Sequence, residues 1–235
     1  MSVRIVGQLS LVDGTSAATA DEIASRLSRC ARSVAEVLHA HAGVNSPGSQ
    51  GGGDLTLDLD FENDASCAAF LARSDKVPGL GLVAALSDGL QDLHPHIANT
   101  DAVVVEPLME TLGRPGLVGV KRTLLLRVHE GTPVDQQAAF ERDMLAMADY
   151  VPAIRNWSFG RVRTTDPNPG PSRWTHHWEQ EFESQEGLSV DYMLTPYHWG
   201  YLDGWYNPEH PECIVDNWLA HVFCPATDSV LSWSA

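Results

Sequence analysis

The sequence predicts an α+β fold: two tandem ferredoxin-like halves that pair within one chain as a pseudo-dimeric α/β barrel. Three observations carry this. Each half reads as β-α-β-β-α-β. Asp60-Phe61-Glu62 is echoed by Glu181-Phe182-Glu183 at an offset of 121 residues, and each copy closes a strand that precedes a short helix. A sheet covered by helices on one face leaves its other face bare, and two copies in one chain bury both bare faces.

The second half is the clearer one. Residues 121–128 (KRTLLLRV) form a short apolar strand-like run. Pro133 stands where a helix can begin, and Gln137, Phe140, Met144, Leu145, Met147 and Ala148 give that helix an apolar stripe. Tyr150-Val151-Pro152 ends it. A second strand is expected over 156–163, then a Pro- and Asn-rich loop over 166–171. The third strand, 173–183, alternates. Trp174, His176, Trp178, Gln180 and Phe182 share one face, and Thr175, His177, Glu179 and Glu181 share the other. A short helix over 185–194, an aromatic stretch over 195–211 and a last strand over 218–223 complete the order.

The first half follows the same plan less plainly. A strand is expected over 4–12, a long helix over 20–41, a Gly/Ser-rich loop over 46–53 and an alternating strand over 54–61. A helix over 64–73 and a closing strand over 102–105 follow. The division is therefore residues 1–108 and 119–235, with 109–118 as a Gly- and Pro-bearing linker.

Composition narrows the function. The chain has 235 residues, of which 43% are hydrophobic, so a sizeable core is expected. A net charge of −16 repels nucleic acid and gives no attraction to an anionic membrane. No signal-like or membrane-spanning run is visible, and Cys30, Cys67, Cys213 and Cys224 are widely spaced. Free thiols and a cytoplasmic location are the expectation.

Chemistry concentrates in Asp191-Tyr192, then Thr195-Pro196-Tyr197-His198-Trp199, together with His176 on the preceding strand. A His and a Tyr six residues apart across a turn can share a pocket. The imidazole serves as acid or base near neutrality, and the phenol can donate to a developing oxyanion. Trp174, Trp178, Trp199, Tyr201, Trp205 and Tyr206 surround them, a density suited to a flat apolar ligand. The bland alternative is a hydrogen-bonded structural histidine among core aromatics, and the residues alone leave both open.

The stretch Trp174-Thr-His-His-Trp-Glu, with Phe182, Asp191-Tyr192 and Pro196-Tyr197-His198-Trp199-Gly200, resembles the stress-responsive dimeric α/β barrel (Dabb) family. That family includes olivetolic acid cyclase-type polyketide cyclases, which close a ring by aldol condensation, and a hydroxynitrile lyase. The resemblance spans most of 119–225; over 1–108 it rests on element order. It implies that Tyr192 and His198 form the catalytic pair and that His176 is a pocket histidine. Beside them, Arg122, Trp178, Trp199, Tyr197 and Trp205 are expected to line the substrate site, and no cofactor is expected. Two departures stand out. The family's His-Pro-x-His turn reads Thr195-Pro196-Tyr197-His198, and a first-strand histidine is replaced by Arg122, which could pair with a carboxylate or phenolate.

The expected function is thus a cofactor-independent acid–base enzyme, an aldol-type cyclase or related lyase of secondary metabolism. Its substrate would be a small aromatic or polyketide-like molecule. A cofactorless monooxygenase of the same architecture, a haem-handling relative and a non-catalytic ligand-binding or stress-response protein are the alternatives. At the 121-residue offset, His176, Tyr192 and His198 correspond to Leu55, Leu71 and Val77, so one site per chain is expected, in the second half. A further homodimer is left open. No metal is expected: His176 and His177 point to opposite strand faces, and His94-Pro95-His96 reads as a surface turn. Gly51-Gly52-Gly53 lacks the Lys-Ser/Thr and following helix of a phosphate loop. Asp203 could orient His198, although a capping or solvated role is its default.

Overall fold

The computed structural model describes residues 2–74, 81–86, 88–114, 116, 119–163, 173–227, 229 and 231. Val77 and the expected 166–171 loop lie outside them. The first half runs β1 (Val3–Leu11), α1 (Ala17–Arg32), β2 (His39–Val44), β3 (Leu55–Phe61), α2 (Asp64–Ser74) and α3 (Gly81–Leu86). A 3₁₀ segment, Asp88–His96, leads into β4 (Ile97–Leu112). The second half runs β5 (Gly119–Leu126), α4 (Val134–Tyr150), β6 (Asn156–Val162) and β7 (His176–Phe182). Two π-helical segments, Gly187–Tyr192 and His198–Leu202, then precede α5 (Asp203–Tyr206) and β8 (Ala220–Ala226).

All eight strands join one sheet in the order β2-β3-β1-β4-β6-β7-β5-β8. Each half therefore has the same internal order: its second strand, third, first, fourth. Antiparallel pairing of β4 with β6 forms one seam between the halves. At the opposite seam the 46–50 loop bridges to β8, where Gln50 and His221 exchange backbone hydrogen bonds of 2.8 Å. The sheet thus curls into a nearly closed barrel, in line with the expected fold class.

Alternation along the strands makes two apolar layers outside the barrel and one polar centre within it. Ile5, Leu9, Leu57 and Leu59 pack against α1 and α3, and Leu124, Leu126, Trp178 and Phe182 share a core with Phe140, Met144 and Met147 of α4. Inside the barrel, Val6, Val103, Val105 and Leu125 form only a small apolar cluster. Around it Arg4 meets Asp60 at 2.7 Å and Glu179 at 3.0 Å, and Lys121 is hydrogen-bonded to Asp58. Register shows how alike the halves are. Arg4 opposes Asp60 on β3, and Lys121 opposes Glu181 on β7.

Several expected boundaries move. The long helix over 20–41 is α1 plus a separate strand, because α1 stops at Ser33, whose N–H bonds back to the Cys30 and Ala31 carbonyls. Strand β2 buries Ala40, Ala42 and Gly43, residues too small to mark a strand in sequence. Residues 109–112, expected to open the linker, continue β4 and pair with 156–159, since the seam needs the strand's full length. His94-Pro95-His96 ends the 3₁₀ segment rather than forming a free turn. The glycine run serves packing. Gly51 has φ +70°, and a Cβ there would overlap the Leu219 carbonyl, so the loop can dock on β8 only without a side chain.

Candidate active site

Arg122 and Leu124 of β5 point to the helix-covered side, as do Leu219 and His221 leading into and along β8. Above them, the segment from Tyr192 to Tyr206 folds back over α4. Between lies a cavity of about 310 Å³, lined by these four residues with Gln50, Met144, Tyr192, Met193, His198, Leu202, Asp203, Tyr206 and Asn217. Its walls are mostly apolar, and its polar groups converge, as in small-molecule sites.

The Tyr–His spacing is realised by the chain's geometry. Tyr192 ends one π-helical segment and His198 begins the next, and wide π turns are frequent at functional sites. Thr195 pins the turn: its Oγ1 donates to the Asp191 carbonyl at 2.6 Å, and its own carbonyl accepts from His198 N–H at 3.0 Å. The rings meet edge-to-face with centroids 4.7 Å apart.

Arg122 organises the floor. Its Nε donates to His221 Nε2 at 2.6 Å, and its Nη1 donates to Gln180 Oε1 and, at 3.2 Å, to the Tyr192 hydroxyl. A guanidinium has no acceptor, so His221 Nε2 must be unprotonated and the ring neutral. The Arg122 charge, with burial and His198 behind it, pushes the His221 pKa down to about 3. Burial also lowers His198; Asp203, with Oδ1 3.6 Å from His198 Nδ1, raises it in part and Arg122 lowers it further. Burial raises Tyr192 in spite of the opposing Arg122 charge, so the phenol keeps its proton at neutral pH. Because the phenolic oxygen accepts from Arg122, its own hydrogen can be offered to a ligand.

The other candidates fall elsewhere. His176 does not line this cavity. Its Nε2 lies 3.0 Å from Glu141, its Nδ1 lies 2.9 Å from Thr175 Oγ1, and its ring stacks on Phe159. Burial would raise Glu141, but hydrogen bonds from His176, Arg161 and Gln137 outweigh it and hold the carboxyl well below the usual range. That cluster ties α4 to β6 and β7. Trp178 is packed between Trp157 and Phe159. Trp205 donates Nε1 to Asp143 at 3.1 Å, and Tyr197 donates to the Asp143 carbonyl at 3.0 Å while stacking on Tyr150. Trp199 is 60% exposed. Trp205 and Tyr197 thus fasten the lid segment to α4, and none of these four aromatics lines the cavity.

Sequence reasoning missed His221 and Gln180 as site residues, and Gln50 as a contribution from the first half. Strand register was the only signal: Gln180 opposes Arg122, and His221 opposes Leu124. His176 and His177 do point to opposite faces; His177 Nε2 lies 3.5 Å from Glu179 inside the barrel. Among the described residues, no three His, Cys, Asp or Glu side chains are grouped to hold a metal ion.

Residues 120–210 match the Dabb family model, the stress responsive A/B barrel domain. That segment holds Arg122, Tyr192, His198 and Asp203. No curated protein matches the chain. Among solved structures, a candidate monooxygenase from Lactobacillus acidophilus NCFM is 12% identical, with a TM-score of 0.56 over 98% of this chain and 99% of that one. A candidate monooxygenase from Fusobacterium nucleatum is 7% identical, with a TM-score of 0.60 over 95% and 91%. An anthrone oxidase-like protein is 7% identical, with a TM-score of 0.58 over 95% and 90%. At such identities the likeness is one of fold. No helix among the described residues is long and apolar enough to cross a membrane.

Proposed function

We propose that the cavity is the active site of an acid–base enzyme acting on a small molecule, with one site per chain. The observation that carries this is the pairing of a neutral His198 with a protonated, Arg122-bonded Tyr192 in one mostly apolar cavity. His198 takes a proton from an acidic carbon. The electron pair left behind attacks a carbonyl carbon of the same molecule, and the alkoxide formed is met by the Tyr192 hydroxyl. His198 returns its proton to that oxygen. This is an aldol-type ring closure, as in the olivetolic acid cyclase-type members of the family, and its reverse is a lyase reaction. Asp203 steadies the imidazolium, and the first half supplies Gln50 and the docked loop as one wall.

The test is deuterium exchange into the methyl group of hydroxy-substituted acetophenones, followed by NMR with the wild-type protein and His198→Ala. Exchange above buffer that falls by roughly 10²-fold or more in the variant is expected. Equal exchange by both proteins, or none by either, refutes the assignment.

A second reading shares the first step. In it the carbanion meets dioxygen instead of a carbonyl, and the fold shared with the monooxygenase candidates favours keeping it in view. Oxygen uptake that depends on His198 distinguishes the two.

A further inference from the structure

Three lysine and arginine side chains are buried among the described residues: Arg4, Lys121 and Arg122. Arg4 has Asp60, Glu179 and Asp58 within 4 Å, and Lys121 has Asp58 and Glu179. Arg122 is only 5% exposed, and no carboxylate among the described residues comes within ion-pair distance of it. A buried charge without a counter-charge is costly, and its neighbours here are neutral hydrogen-bond partners.

Those partners also fix its direction. His221 occupies Nε, while Gln180 and Tyr192 occupy Nη1, and Nη2 makes no hydrogen bond among the described residues. Protonating His221 would set a second cation against Arg122, so His221 acts as a positioning residue that holds the guanidinium by accepting from it. The acid that lines the cavity, Asp203, is 55% exposed and is paired with His198 rather than with Arg122. The equivalent positions of the first half carry no charge: by register, Ile5 stands where Arg122 does, Leu59 where Gln180 does and Ala102 where His221 does.

From this we infer that the cavity takes a small aromatic monocarboxylate, whose carboxylate pairs with the free edge of Arg122. One cation matches one negative charge. Leu124, Met144, Leu202 and Leu219 suit a flat apolar body, and 310 Å³ lies at the small end of ligand pockets, which run from about 300 to 1,000 Å³. The inference rests on the cavity being the substrate site proposed above, and adds the substrate's class to it. With the carboxylate held by Arg122, a ring acyl group lies toward Tyr192 and His198.

The experiment is calorimetric titration of the full chain with 3-acetylbenzoate and its neutral counterpart 3-acetylbenzamide. Wild type should bind the acid at least about tenfold more tightly than the amide, a difference of about 1.4 kcal/mol. Arg122→Gln should abolish that preference, and Arg122→Lys should restore part of it. Equal affinity for acid and amide, an undiminished preference in Arg122→Gln, or no saturable binding of either probe by wild type overturns the inference. Should Arg122→Gln fail to fold, the wild-type comparison and Arg122→Lys still decide. An Arg122-dependent preference without His198-dependent exchange retains the anion site and removes the acid–base reading. Exchange without acid preference does the reverse.

Discussion

His198 is placed between two opposite influences. Burial and the Arg122 charge hold it below the ordinary histidine range, and Asp203 partly offsets them. The base must be neutral to act, so exchange activity should fall as pH drops through the His198 pKa and level off above it. Asp203→Asn removes the one influence that raises the pKa, so the acid limb should move to lower pH, as read from the pH–rate profile of acetophenone exchange. An unmoved limb would assign the titration to another group. At this scale the sequence was partly legible. Tyr192, His198 and Arg122, singled out by residue type and motif, line one cavity. His176 was drawn to the site by the same motif, yet its ring is engaged by Glu141, Thr175 and Phe159. Local sequence shows which face of a strand a side chain takes, not which neighbours wait on that face.

At the scale of elements, the site depends on how the 46–53 loop and the π-helical lid are fastened. Gly51 is in the left-handed region and abuts the Leu219 carbonyl. Gly51→Ala should therefore lower stability by roughly 1–3 kcal/mol in urea unfolding and weaken 3-acetylbenzoate binding, because Gln50 and Leu219 both line the cavity. Gly14 also has positive φ, but a Cβ there meets nothing within 4 Å. Gly14→Ala should thus cost backbone strain alone and leave binding unchanged. If both variants bind normally, loop docking does not shape the cavity. Neither β2 nor the glycine loop's role could be read from sequence. The strand's inward side chains are two alanines, and the loop's partner, β8, lies about 170 residues further along the chain.

The whole molecule repeats one topology twice and uses the copies differently. On the helix-covered side, the first half fills the equivalent positions with Ile5, Leu59, Leu71 and Ala102, whereas the second keeps a mostly apolar cavity into which Arg122, Tyr192 and His198 converge. Inside the barrel both halves contribute charge. Arg4 and Lys121 can neutralise two of the carboxyls Asp58, Asp60 and Glu179, and the third tends to hold a proton. Burial accordingly raises Asp60 to about 7, although Arg4 opposes it. Its ordinary value is 3.8, so between about pH 4 and 7 the folded state binds the proton that the unfolded state has lost. This group's contribution to stability therefore declines as pH rises through that window. Asp60→Asn cannot ionise, and its stability relative to wild type should be greater at pH 8 than at pH 5 in urea titrations. An equal difference at both pH values would show that Asp60 is ionised throughout.

The class of the fold was legible in the amino-acid order, because alternation and helical stripes are local patterns that a chain must satisfy whatever its partners. That order also marked the segment richest in chemistry. Tertiary structure alone decided which of those residues share a cavity. Strand register across β5, β7 and β8 set Gln180 and His221 beside Arg122, and packing on α4 turned Trp178, Tyr197 and Trp205 into scaffold. It also decided that Arg122, unlike Arg4 and Lys121, is buried without an acid. Such facts depend on distances between residues far apart in the chain, which no local pattern encodes.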